Sequence, residues 1–214
     1  MANEQMRRFL SSRAAIEARD PGARAATELF ESWVGGNYDW HVGHLERPEE
    51  LHDGWTSQIC GGFVPKICLG AAYDHPVRFQ LPDGRAYSFL VEVEGDGGLS
   101  SIHPARPVTT ELTSYGATLK TLDASFNPYS DSSFDLYEIS GTVYEDLDFT
   151  PWEPAYYELT TERGEVLTFR TQTFDVVKMK DPSGVVIELT DGNIVVDGSP
   201  AVTVQKGADG LVKK

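Results

Sequence analysis

One short pattern recurs through residues 155 to 214: an apolar-alternating run, a tight turn built on glycine, and a second such run. Tyr157-Glu158-Leu159 leads through Arg163-Gly164 into Val166-Leu167-Thr168-Phe169. Val176-Val177-Lys178-Met179 leads through Asp181-Pro182-Ser183-Gly184 into Val185-Val186-Ile187-Glu188-Leu189. Asp191-Gly192, Ile194-Val195-Val196, Asp197-Gly198 and Ala208-Asp209-Gly210 continue the series. Glycine supplies the positive backbone angles of tight hairpins, and β-branched flanks suit a pleated surface. The pattern therefore predicts serial antiparallel β-hairpins. A hairpin cannot bury its apolar face alone, so a ribbon of them must stack, coil or rest on a neighbour. The series is still in stride at Lys214, which leads to the expectation that the sequence is one end, or a piece, of a longer repeat assembly.

Three regions follow from the change of pattern along the chain. Residues 1–36 form an N-terminal helical segment: Met6, Phe9, Leu10 and Ala14 share one face, while Asp20 and Pro21 open a second helix carrying Ala25, Leu29, Phe30 and Trp33. Residues 37–154 form an irregular, plug- or cap-like β region rich in aromatic anchors. Residues 155–214 begin the hairpin ribbon. Within the middle region Val77 to Val93 reads as a hairpin, with alternation on both arms of the turn Pro82-Asp83-Gly84-Arg85. Pro104 and Pro107 predict an edge or crossover, and Thr109 to Leu122 a further strand pair around Tyr115-Gly116. The fold class expected is mainly β, a serial-hairpin ribbon with a short helical N-terminus.

Composition narrows the function. The 214 residues carry a formal charge of −15, which argues against nucleic acid as a partner, since phosphate binding needs a concentrated cationic surface. No apolar run is long enough to span a bilayer. Met1 to Ile16 lacks the apolar core and cleavage site of a secretory signal, so synthesis in the cytoplasm is expected, with export left to a dedicated secretion machine. Between Lys120 and Arg163 there is no Lys or Arg, while Asp123, Asp131, Asp135, Glu138, Glu145, Asp146, Asp148, Glu153 and Glu158 accumulate. A solvated acidic face is expected there, ahead of a surface for a basic partner or calcium. Cys60 and Cys68 are expected as reduced, buried thiols, although a disulfide is geometrically allowed.

The motifs that carry chemistry are missing. There is no G-x-S-x-G, H-E-x-x-H, P-loop or G-x-G-x-x-G. Cys60 and Cys68 with His41, His44, His52, His75 or His103 form pairs on paper only, as do the many carboxylates. His41, His44 and His52 have no paired Cys or carboxylate cluster completing a familiar zinc pattern. No catalytic, cofactor or metal residue is assigned, and a non-enzyme is expected.

The order of segments resembles the N-terminal flank and first repeats of Rhs/YD-repeat proteins. The residues carrying the resemblance are Gly61 to Leu69, Val77 to Phe89, Tyr157 to Phe169 and the turn Asp181-Pro182-Ser183-Gly184. The tyrosine-aspartate dipeptide of that family is present only as Tyr38-Asp39 and Tyr73-Asp74, outside the repeat-like region. The resemblance implies a structural part of a shell that encloses a toxin cargo, with wall hairpins and an end cap. Its partners would be the remaining shell, the cargo and a delivery-apparatus protein. The competing reading is a carbohydrate- or protein-binding β module using exposed Trp40, Trp55 and Trp152 and the acidic surface.

Overall fold

The computed structural model describes residues 44–46, 50–61, 63, 66–81, 84–98, 102–129, 134–145, 148–190 and 193–203. The expected helical segment at 1–36, Trp40, His41 and the last stretch of the expected ribbon at 204–214 lie outside them. Fifteen strands follow in chain order among the described residues: β1 (His44–Glu46), β2 (Trp55–Cys60), β3 (Lys66–Ala71), β4 (Pro76–Gln80), β5 (Ala86–Gly95), β6 (His103–Glu111), β7 (Thr118–Leu122) and β8 (Leu136–Ile139). They continue as β9 (Thr142–Tyr144), β10 (Tyr156–Thr160), β11 (Val166–Arg170), β12 (Val176–Lys180), β13 (Val186–Thr190), β14 (Asn193–Val196) and β15 (Ser199–Thr203). No helix is found among the described residues.

All pairings are antiparallel and build three sheets: six strands in the order β1-β4-β5-β6-β8-β9, seven in the order β15-β14-β13-β12-β11-β10-β7, and the hairpin β2-β3. The protein is mainly β. The expected hairpin at 77–93 is β4–β5, with Val77 opposite Phe89 and Phe79 opposite Tyr87. Strict alternation on β5 sends Tyr87, Phe89, Val91 and Val93 inward. Phe79 joins the two large sheets, lying 6.0 Å from Phe89, 5.9 Å from Tyr157 and 4.8 Å from Phe169, centroid to centroid. Burying such a ring contributes about 1.5–3 kcal/mol, so the core sits between β4–β5 and β10–β11. Tyr87 adds a polar tie across the same gap: its hydroxyl donates to Glu162 Oε2 at 2.7 Å. Burial first, and this bond second, push the phenol up to about 12.

The turns repeat one hydrogen-bond scheme. In Leu81–Arg85, Thr161–Glu165 and Asp181–Val185 the first residue's N–H donates to the fifth residue's carbonyl, and the N–H of the glycine at the fourth position donates back to the first carbonyl. Gly84, Gly164 and Gly184 have φ of +86°, +81° and +98°, as three-residue hairpin loops closed by a bulge require. Nothing stands within 4 Å of a Cβ built on Gly84 or Gly184, so backbone conformation, not space, demands glycine there. The fourth copy, Asp123–Asn127, puts Phe126 at that position with φ 63°. The Phe126 ring stacks on Tyr156 at 4.2 Å, which offsets the left-handed backbone.

Two local expectations are corrected. Thr109 to Leu122 is not a strand pair: β6 pairs with β5 and β8, whereas β7 leaves for the other sheet and pairs with β10. The connection turns a corner, with the Thr109 hydroxyl donating to the Leu119 carbonyl at 2.7 Å and the Glu111 carboxylate accepting the N–H groups of Tyr115 and Gly116. Pro104 and Pro107 lie inside β6, a central strand of its sheet. Because β8 pairs only with His103–Ala105, the rest of β6 is edge-like on that side, which accommodates Pro107.

Candidate functional site

Two places combine organised geometry with exposure. The first is the ribbon. From β10 to β15 each strand pairs with its successor in the chain, without a crossover. Tyr157, Leu159, Leu167, Phe169, Val176, Ile187 and Ile194 are buried along it, on the core side. The other face carries cross-strand ion pairs between directly opposed residues, Lys178 with Glu188 at 3.2 Å and Lys120 with Glu158 at 3.9 Å. Among the described residues β15 is the margin of this sheet, with Ser199 and Pro200 exposed.

The second place is the loop before β2. Leu51 is fully buried and its carbonyl accepts the Trp55 indole N–H at 2.7 Å. Trp55 stacks on His75 at 4.5 Å, and His75 Nε2 donates to the Asp53 carbonyl at 2.9 Å. Gly54 has φ +86°, and a side chain there would run into the Tyr73 ring. The Val143 N–H donates to the His52 carbonyl at 2.7 Å, so the loop also covers the β9 margin of the six-stranded sheet. These anchors fix a polar group. His52 Nδ1 lies 3.0 Å from Glu153 Oε1, which also accepts the Leu51 N–H at 2.6 Å. His52 Nε2 faces Glu50 Oε2 at 3.3 Å and Asp53 Oδ2 at 3.7 Å. Asp53 Oδ1 accepts the Thr142 hydroxyl at 3.0 Å. Glu50, His52 and Asp53 are therefore the side chains that could hold a cation.

The remaining residues singled out from the sequence fall elsewhere. Cys60 and Cys68 form a disulfide across β2–β3, with Cα atoms 5.8 Å apart, inside the bridging range. The expected reduced, buried thiols are thereby corrected: both positions are half-buried and neither is a free thiol. His75 is a core histidine, and His103 faces the buried Glu138 across β6–β8 at 3.9 Å. Glu138 is 1% exposed and accepts the Gly141 N–H at 2.7 Å. Glu145 accepts the Tyr129 hydroxyl at 3.0 Å. The stretch expected as a solvated acidic face thus contributes several internal hydrogen-bond acceptors. Trp55 and Trp152 are 3% and 0% exposed, which corrects the expectation of exposed tryptophans in the binding-module reading. Main-chain bonds hold both beside β9, the Trp55 amide N–H donating to the Gly141 carbonyl at 3.1 Å and the Trp152 amide N–H to the Val143 carbonyl at 2.9 Å.

No protein-family model, curated protein or solved structure matches the chain. The cluster around His52 was missed in the sequence although Glu50-Leu51-His52-Asp53 places three ligand types within four residues. Glu153, about a hundred positions away, left no sequence signal at all.

Proposed function

We propose that this chain is a non-enzymatic structural segment, a wall of serial β-hairpins continued at its β15 margin by a further strand. In this reading it contributes wall hairpins and an end cap to a shell of the Rhs/YD kind, and its partners are the rest of the shell and an enclosed toxin cargo. The supporting observation is the uninterrupted chain-order pairing of β10 to β15, apolar on one side and laced with ion pairs on the other. Such a sheet grows by adding strands at its margin, because an edge strand presents unpaired N–H and C=O groups to any extended segment. Of the three tryptophans named in the binding-module alternative, Trp55 and Trp152 are buried and Trp40 lies outside the described residues, which favours the wall reading.

The test is concentration-dependent mass measurement of the chain, beside an Ala201→Lys/Thr203→Lys variant that places charges on β15. Association of the parent chain, suppressed in the variant with its thermal unfolding unchanged, supports the proposal. A parent that stays a monodisperse monomer with β15 amides fully protected from exchange sinks it.

A further inference from the structure

We infer that Glu50, His52 and Asp53 form a binding site for a divalent transition-metal cation of the zinc class, with Glu153 as the positioning residue. The inference starts from the tautomer of His52. Glu153 Oε1 is an acceptor, so the Nδ1 it faces at 3.0 Å carries the ring proton. In the neutral ring Nε2 then holds a lone pair, and that lone pair meets two carboxylate oxygens, Glu50 Oε2 and Asp53 Oδ2. With the ring neutral, three electron-rich atoms converge on one point, and their repulsion is relieved either by a second ring proton or by a bound cation, which would compete for the same place. Among the described residues no lysine or arginine forms an ion pair with Glu50 or Asp53.

The spacings suit such an ion. Nitrogen and oxygen ligands each about 2.0–2.2 Å from a tetrahedral zinc stand roughly 3.3–3.5 Å apart. The two nitrogen–oxygen separations are 3.3 and 3.7 Å, and all three ligand atoms lie within 4.8 Å of one another. The two nitrogen–oxygen separations need at most a few tenths of an ångström of adjustment and the separation between the two carboxylate oxygens at most about 1.5 Å, within the reach of the exposed Glu50 and Asp53 side chains. A carboxylate on the far nitrogen of a ligating histidine is the usual device that fixes ring orientation and raises ligand basicity. Here it comes from a distant part of the chain and is braced by the Leu51 amide, an arrangement a merely solvated acidic patch does not need. The imidazole favours zinc-class ions over calcium or magnesium, which prefer all-oxygen shells. With three protein ligands the fourth tetrahedral position remains for water or for a partner's side chain.

Calorimetry of the full chain with Zn²⁺ tests this, with Ca²⁺ as competitor and thermal unfolding recorded for every variant. One ion per chain is expected, with no displacement by Ca²⁺. Binding is lost in His52→Ala and in Asp53→Asn, and weakened at least tenfold in Glu50→Gln, whose exposed side chain leaves folding intact. Glu153→Gln weakens it about 10–100-fold while keeping the stoichiometry. A His41→Ala/His44→Ala variant retains the site, which excludes the two histidines that precede it in the sequence. Absence of Zn²⁺ binding in the parent chain, retention in the folded Glu50→Gln/Asp53→Asn double variant, or displacement by equimolar Ca²⁺ overturns the inference.

Discussion

The two large sheets are closed in opposite ways. The seven-stranded sheet runs in chain order from β10 to β15, so nearly all its ladders join residues a few positions apart, and its turns repeat one five-residue scheme. The six-stranded sheet omits β2, β3 and β7, and its β9 margin is sealed by the local Val143–Trp152 bond together with groups from far along the chain, the His52 carbonyl and, behind it, the His52–Glu153 contact. Among the described residues the first sheet ends at β15, whereas the second ends in contacts that hold its β9 margin. Long-range contacts at a margin both protect it and bring distant side chains together. This is why the polar cluster lies beside β9 and not along the ribbon.

If that contrast is right, mutations at the junction and in the outer ribbon must behave differently. Phe79→Ala, which removes the ring shared by both sheets, is expected to cost about 3–5 kcal/mol in urea unfolding and to lower protection in both sheets together. Ile194→Ala should cost about 2–4 kcal/mol locally, with amide exchange accelerated in β13–β15 while the six-stranded sheet keeps its protection. Equal loss in both sheets would show that the ribbon is not an independent cooperative unit. Gly184→Ala meets no steric obstacle but needs a left-handed backbone, so roughly 1–2 kcal/mol is expected in the same assay.

The smallest effect expected is on pH dependence. Desolvation works to raise the Asp181 carboxyl, but hydrogen bonds from the Ser183 hydroxyl and the Val185 amide hold it below the usual carboxylate range. A depressed folded-state value means stability that is present above the unfolded value of about 3.9 and lost as the pH falls through the folded one. Asp181→Asn should therefore cost roughly 0.5 kcal/mol at neutral pH after solvent screening, and the two stability curves should converge in acid. Curves that stay parallel would mean that the charge of Asp181 does not stabilise the turn.

The hairpin at Val77–Val93 and the strands from Tyr157 to Val196 were legible because period-two alternation and glycine at the fourth turn position are local, and local rules act wherever the residues stand. Phe126 shows the limit: the same turn forms without glycine, because stacking on Tyr156 supplies what the sequence signal lacks. The corner at Thr109–Leu122 was misread because alternation says which side chains face inward, not which strand supplies the ladder. Cys60 and Cys68 were misassigned since burial and cross-strand distance are properties of the folded hairpin.

From the sequence alone came the β class, the positions of the turns and the inward faces of most strands, all consequences of backbone sterics and apolar periodicity. Only the folded molecule settled which sheet each strand joins, that Trp55, Trp152 and Glu138 are buried, and that Glu153 meets His52. Those outcomes depend on contacts between residues far apart in the chain, where no short-range pattern constrains the partner and the packing of the whole core makes the choice.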